Sequence, residues 1–524
     1  MKKKLSELLK SLDKKSLAIK SEDMIEKAEA KRLKKRTLEN INKNKTLNLN
    51  ELNVKIGGIK SKKPYNIDNL KIIGITGTYG KSSTALLTHR YLQSIGKKSV
   101  LYSSAYIDSP ATFKSRKISF DTLHLTEESI IEIINECKTY KAEYLVLECW
   151  EESIALGVFD NVPFTLKVLT SFIKNFKKDL YLDQDKYLNN KIRFFKDDLC
   201  PVIVNVRNGF VDQDLLNSIK GEKIYYSLTQ PNLDFTKDLQ ISYTFARKYK
   251  DYPTPIFYKS AEETVFAMKT LNHGEFLVKT PLVGTAIDNT LAAYAITDYF
   301  KVADPDAWVE FLGDKTLYIA GRSQNIKYNG RTIVISPEIV DTTQYYYWTK
   351  RALDEAYSEK ALPFDYEGIS FSPEKINKII AVLGPMAPWS VGKNKYLDEF
   401  LQANGNLADI ETEIKIENSL SDADAEYYNK YLDQIVINPV NLGDALYEDV
   451  VDYMKSKLTV PTVAEKDRLK AIIKAIMLSE KNDVIIVSGR GNRIANFVGY
   501  EDVQLMTDYQ LIKKAIERLE ELGY

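Results

Sequence analysis

The segment Gly74-Ile-Thr-Gly77-Thr78-Tyr79-Gly80-Lys81-Ser82-Ser83 constrains this chain more than any other. It follows a short apolar run, Lys71–Thr76, and opens a stretch of helical pattern from Lys81 to about Ile95. Strand, glycine-rich loop and helix in that order make a phosphate-binding unit. The glycines let backbone N–H groups converge on phosphate oxygens, and the helix N-terminus adds its positive end. In such a unit Gly77, Thr78, Gly80, Lys81, Ser82 and Ser83 bind a nucleotide. Lys81 reaches the β and γ phosphates, and the Ser82 hydroxyl ligates Mg2+. A strict Walker A spacing needs a glycine where this chain has Ile75.

Around the loop the chain alternates. Buried strands are predicted at Ser99–Ser103, Tyr144–Glu148, Thr165–Ser171 and Pro201–Val206, with helical stretches between several of them. This alternation predicts an α/β fold with a mainly parallel sheet and helices on both faces. Residues 221–282 read as short alternating strands (223–228, 239–245 and 275–281), expected as an antiparallel edge of the same sheet. A second α/β series starts near Gly330. Its strands are expected at Thr332–Ser336, Lys378–Leu383, Gln434–Ile437 and Asp483–Ser488, and its helices at about 342–358, 444–456, 464–479 and 508–522. The division that follows is 1–65, a helical basic segment; 66–320, a central P-loop domain; and 321–524, a C-terminal Rossmann-like α/β domain.

The formal charge of +1 hides an asymmetry. Residues 1–63 hold 19 Lys and Arg against 8 Asp and Glu, a net of +11; the remainder holds 54 against 64, a net of −10. A basic head on an acidic body argues against a nucleic-acid coat. The head reads first as a solvated helical extension, and it leaves room for an anionic acceptor or a protein partner. No run of about 18 apolar residues is present, so no transmembrane helix is predicted. The start, Met1-Lys2-Lys3-Lys4, leads into a charged pattern rather than an apolar signal segment. Cys137, Cys149 and Cys200 form no CxxC pair and no disulfide framework, which suits a reducing cytosol.

The loop spacing resembles that of the Mur ligase family, ATP-dependent enzymes that join amino acids or peptides to a carboxylate. The resemblance continues in order over roughly residues 66–524. Glu148 closes the apolar strand Tyr144–Leu147 and stands where the family has a Mg2+-ligating Glu. Tyr187-Leu-Asn-Asn-Lys191 resembles a Tyr-x-x-x-Lys segment, which implies that Lys191 is carbamylated and helps hold a second Mg2+. Gly284-Thr-Ala-Ile-Asp-Asn289 implies that Asn289 contacts the adenine. Gly321-Arg322 resembles the Gly-Arg junction before the last domain, whose Arg reaches the ATP phosphates. Asn438-Pro439, Asp467-Arg468-Leu-Lys-Ala471-Ile472 and Gly489-Arg490-Gly491-Asn492-Arg493 resemble motifs of the branch that makes UDP-N-acetylmuramoyl-tripeptide. They put Asn438, Arg490 and Arg493 at the substrate.

The family pattern implies a cytoplasmic ligase of cell-wall (peptidoglycan) or related peptide synthesis. A carboxylate attacks the γ-phosphate of ATP, and an amine displaces phosphate from the acyl phosphate. Lys81, Lys191 and Arg322 are the implied catalytic residues; Ser82, Glu148 and Lys191 are the implied metal ligands. Closure of the last domain over the central one is the implied means of excluding water. Several departures bear on this. Cys149-Trp150-Glu151-Glu152 replaces the Ser-Ser-His that often follows the Glu, and Asp179-Leu-Tyr-Leu-Asp183 is spaced wider than the family's Asp-His-x-Asp. Ser336-Pro337-Glu338-Ile339 and Gly384-Pro-Met-Ala-Pro-Trp389 replace polar loops. Val440 replaces the Arg that grips diaminopimelate and Arg493 replaces a Glu, so a neutral or acidic amine donor is expected. Residues 1–65 are shorter than the usual UDP-sugar-binding domain. A second expectation is a nucleotide-binding paralogue with weak or no ligation, acting through a protein partner.

Overall fold

The computed structural model describes residues 67–109, 125–173, 184–228, 234–245, 256–282, 286–319, 324–335, 364–371, 377–384, 420–438, 447–489, 495–498 and 502–524, apart from a few positions inside these ranges. The described residues form two compact units. One runs up to Asn325 and includes a small later hairpin; the other runs from Ile326 onward.

The first unit begins β1 (Lys71–Thr76), α1 (Lys81–Ser94), β2 (Ser99–Tyr102), β3 (Ile107–Asp108), α2 (Glu127–Tyr140), β4 (Tyr144–Glu148), α3 (Glu151–Ala155), β5 (Leu166–Leu169) and α4 (Gln184–Phe195). It continues through β6 (Val202–Asn205), α5 (Gln213–Ser218), β7 (Lys223–Ser227), β8 (Tyr243–Phe245), β9 (Ile256–Lys259), β10 (Thr264–Thr270), β11 (Gly274–Thr280), α6 (Ala286–Tyr299) and α7 (Pro305–Gly313). One sheet holds β1 to β11, in the order β11-β10-β8-β7-β6-β5-β1-β4-β2-β3, with β9 beside β10. From β2 to β8 the pairs are parallel. The pairs β2–β3, β8–β10, β9–β10 and β10–β11 are antiparallel.

The central strands carry apolar side chains on both faces because helices cover both. Every residue from Ile72 to Thr76 is buried. Ile73 and Ile75 share a core with Leu86 and Leu87 of α1, Leu291 of α6 and Trp308 of α7. Trp308 stacks on Tyr91 with ring centroids 4.1 Å apart, and its indole N–H donates to Thr297 Oγ1 at 3.1 Å. The strand expected at 223–228 is not an antiparallel edge. It is β7, parallel to β6, because the short helix α5, capped by the Asp212 side chain, makes a crossover between them. The antiparallel edge is built on β10, whose almost continuous burial hides the alternation expected of an edge strand.

In the second unit, β12 (Gln324–Tyr328) and β13 (Arg331–Ile335) are joined at Asn329-Gly330, both with positive φ (46° and 75°), the signature of a tight hairpin turn. The hairpin β14 (Phe364–Tyr366) and β15 (Ile369–Phe371) groups with the first unit. Then come β16 (Ile379–Leu383), α8 (Asp422–Tyr431), β17 (Gln434–Ile437), α9 (Tyr447–Lys457), β18 (Thr462–Ala464), α10 (Arg468–Leu478), β19 (Val484–Val487), the hairpin β20 (Ala495–Val498) and β21 (Asp502–Leu505), and α11 (Asp508–Glu521). The sheet order is β12-β13-β19-β16-β17-β18, with β13 to β18 parallel. The expected strands and the helices at 464–479 and 508–522 are present with trimmed ends. The helix expected at 342–358 and residues 1–65 lie outside the described residues. All three cysteines are free thiols. Burial pushes the Cys137 thiol up to about 12 and that of Cys149 further still, so neither is reactive at neutral pH.

Candidate active site

The site starts where β1 ends. Gly77 has φ 154° and Gly80 has φ 85°, the latter as the left-handed N-cap of α1. A Cβ at Gly77 would strike the Thr170 hydroxyl and come within 2.8 Å of the Ser171 nitrogen. A Cβ at Gly80 would strike Asn289 Oδ1. Both positions therefore demand glycine on two grounds, space and backbone angle.

The end of β5 holds the loop from the side. Thr78 N donates to Ser171 O at 2.8 Å, and Tyr79 N donates to Ser171 Oγ at 2.7 Å. Thr170 Oγ1 donates to Tyr79 O at 2.5 Å, and Ile173 N donates to Thr78 Oγ1 at 3.2 Å. Thr170 is held in turn by Asn205 of β6, whose Nδ2 donates to its carbonyl at 2.9 Å. Sequence reading missed Thr170, Ser171 and Asn205. Their only signal is that polar residues follow two apolar strands at the carboxyl edge of a parallel sheet, the edge where ligands gather.

Lys81 folds back over the loop. Its Nζ donates to Gly77 O at 2.7 Å, lies 5.2 Å from the Trp150 ring centroid, and stands 3.8 Å from Glu151 Oε1. No acidic residue occupies the first turn of α1, so the helix N-terminus keeps its positive potential for an anion. Ser83 is buried within the same turn.

Glu148, fully buried, accepts from four donors. Ser82 Oγ donates at 3.0 Å to Oε1; Ser103 Oγ at 2.5 Å, Ser104 N at 2.9 Å and Ser104 Oγ at 3.1 Å donate to Oε2. A hydroxyl and a carboxylate side by side are the hard oxygen donors that Mg2+ takes, and Mg2+ commonly keeps waters and phosphates as its remaining ligands. The donor set fits that ion. Among the described residues there is no cluster of three or more His, Cys, Asp or Glu to hold a metal by side chains alone.

Lys191, on α4, is brought to the same place. Its Nζ donates to Glu151 Oε1 at 2.7 Å and to Thr76 Oγ1 at 2.9 Å, with the side chain fully buried. Asn289 reaches the loop from α6 and accepts from Thr84 Oγ1 at 3.4 Å. Its neighbour Asp288 pairs with Arg207 at 2.5 Å, and the Arg207 guanidinium lies 5.0 Å from the Phe210 ring centroid. The structure thus gathers Gly77, Thr78, Gly80, Lys81, Ser82, Ser83, Glu148, Lys191 and Asn289 at one edge of one sheet. Arg322, Arg490, Arg493, Val440 and Asp179–Asp183 lie outside the described residues.

The second unit has a polar centre of its own. Arg468, fully buried, donates to both Asp508 oxygens (3.1 and 2.9 Å), to Asn438 Oδ1 at 3.0 Å and to Ser488 O at 2.6 Å. The Asn438 amide donates to the carbonyls of Glu465 (2.7 Å) and Lys466 (3.1 Å). Asn438 therefore fastens the ends of β17 and β18 to α10, with its side chain buried.

Comparison with known proteins agrees with this geometry. Residues 75–297 match the Mur ligase middle domain. The chain is 29% identical over 161 residues to a UDP-N-acetylmuramoyl-L-alanyl-D-glutamate--2,6-diaminopimelate ligase of Helicobacter pylori, a match spanning a third of that protein (29% of this chain, 33% of the relative). It is 22% identical over 456 residues to the enzyme of the same name from Caldanaerobacter subterraneus, covering 86% of this chain and 79% of the relative. The fold is that of the MurF ligase from Thermotoga maritima solved in complex with ADP (TM-score 0.53, 14% identity, 86% of this chain and 81% of that one).

Proposed function

We propose, from the premise that the chain belongs to the Mur ligase family, that it is an ATP-dependent ligase joining a carboxylate acceptor to an amino acid or peptide. The acceptor carboxylate attacks the γ-phosphate, ADP leaves, and the amine then displaces phosphate from the acyl phosphate. The observation that carries this reading is the pairing of the Gly77–Ser83 loop with Glu148 at the ends of β1 and β4. Such a loop binds a nucleotide triphosphate, and the Ser82–Glu148 pair suits the ion that accompanies it.

Lys81 neutralises charge that builds on the transferred phosphoryl group, and the α1 N-terminus orients the phosphate chain. Mg2+, when bound by Ser82 and Glu148, supplies charge neutralisation at the phosphates. Asn289, beside Gly80, positions the adenine, and Arg322 adds a cation at the phosphates. Asn438, by its buried bonding, acts in the second unit as a positioning residue rather than by touching substrate. With Val440 and Arg493 in place of the family's Arg and Glu, the amine donor is neutral or acidic, and the basic residues 1–63 serve an anionic acceptor or a protein partner. Among the described residues no helix is long and apolar enough to cross a membrane, which accords with an enzyme of the cytoplasm acting in cell-wall or related peptide synthesis.

The test uses hydroxylamine in place of the amine. With Mg-ATP and carboxylate acceptor pools, an acyl phosphate yields a hydroxamate along with ADP. Acceptor-dependent hydroxamate supports the reading; ADP binding without hydroxamate from any pool refutes it and leaves a nucleotide-binding protein.

A further inference from the structure

Glu151 has no counterpart in the family motif, yet it sits at the centre of the site's charges. One of its oxygens, Oε1, accepts from Lys191 Nζ at 2.7 Å and lies 3.8 Å from Lys81 Nζ. Its side chain is 5% exposed and that of Lys191 0%, so the pair is shut off from water. A buried ammonium requires an anion at contact distance, and Glu151 is that anion for Lys191. Thr76 Oγ1 accepts a second Lys191 hydrogen at 2.9 Å, which ties the ammonium to the last residue of β1.

A carbamate does not fit this arrangement. Its formation joins the amine nitrogen to the carbon of CO2, releases a proton, and leaves an anion where the ammonium was. That anion would stand beside Glu151, setting like charge against like charge where the present pair attracts in a low-dielectric site. It would also leave the nitrogen with one hydrogen for the two acceptors it now serves.

We propose that Glu151 takes the place of the carbamate. It is a positioning residue that supplies the negative charge from the chain itself, keeps Lys191 an ammonium, and sets Lys81 against the phosphate loop. The site is then independent of dissolved CO2. This deepens the ligase reading and rests on it only for the role of Lys81 at the nucleotide.

The experiment uses the full chain. Wild type and Lys191→Arg are freed of CO2, supplied with 13C-bicarbonate and compared by 13C NMR. Mg-ADP affinity is measured with and without bicarbonate for wild type and Glu151→Gln. Expected are no carbamate carbon in wild type beyond that in Lys191→Arg, an affinity indifferent to bicarbonate, and a loss of about tenfold or more in Glu151→Gln. A carbamate resonance present in wild type and absent in Lys191→Arg overturns the proposal, as does wild-type affinity in a folded Glu151→Gln. If Glu151→Gln does not fold, the wild-type NMR spectrum decides alone. None of these readouts needs acceptor or amine, so they can fail while the ligase reading stands.

Discussion

Ser82 Oγ stands 3.0 Å from Glu148 Oε1, joining the first turn of α1 to the end of β4 across 66 residues of sequence. The carboxylate is held on its other oxygen by Ser103 and Ser104, so it is aimed before any ion arrives. Glu148→Gln keeps the shape and loses the charge. It should retain metal-free ADP binding, lose the Mg2+ enhancement of that binding, and slow turnover by about 10²–10³-fold. Calorimetry with and without Mg2+ checks the first two and steady-state kinetics the third.

Gly80→Ala places a methyl group against Asn289 in a left-handed backbone. The angle alone costs about 1–2 kcal/mol. Nucleotide affinity should fall, and the unfolding temperature with it. Adding Asn289→Ala removes the clash, so the double variant should regain part of the lost unfolding temperature without regaining affinity. Thermal unfolding beside ADP titration separates the two effects.

The loop and strand β1 were legible because they are local: one apolar run, three glycines and a lysine in sequence. The partners that hold the loop were not. Thr170 and Ser171 meet Thr78 and Tyr79 from more than 90 positions away, and their place after an apolar strand does not say which loop they meet. Glu151 read only as a departure, since its meaning depends on Lys191 reaching it from another helix. In the second unit the turn at Asn329-Gly330 is a readable hairpin signal, yet β12 carries little strand signal because Gln324–Tyr328 is polar and short. Asn438 and Arg468 were legible as a motif but not as a network, because Asp508 joins them from 40 positions beyond Arg468.

That network yields a stability prediction. Arg468→Ala takes from the buried Asp508 carboxylate the guanidinium that bonds both its oxygens and should cost about 3–5 kcal/mol. Arg468→Met combined with Asp508→Leu removes both charges and should recover much of that loss. Denaturant unfolding of the single and double variants measures the difference.

His89 gives the pH dependence. It lies buried between Ser99 Oγ (2.9 Å from Nδ1) and Asp108 Oδ2 (3.1 Å from Nε2). A neutral ring suits both neighbours: Nε2–H donates to Asp108, and Nδ1 accepts from Ser99. Burial lowers the His89 pKa below its usual 6.5 against the opposing pull of Asp108. The unfolded chain therefore binds a proton more readily than the folded one, and this contribution to stability is present above about pH 6.5 and fades as pH falls below it. Asp108, lowered chiefly by its bond to His89, adds loss in the same direction at lower pH. Unfolding free energies from pH 7.5 to about 5 should slope downward in wild type and less so in His89→Gln.

The central claim is amide formation driven by ATP, and product analysis tests it most directly. The full chain is incubated with Mg-ATP, carboxylate acceptors, and amino acids and peptides, and ADP and new amides are quantified together by mass spectrometry. The account predicts amide and ADP in equal amounts, with Lys81→Ala lower by about 10²-fold or more. Bound ATP with no amide from any pool, or equal output from Lys81→Ala and wild type, would contradict it.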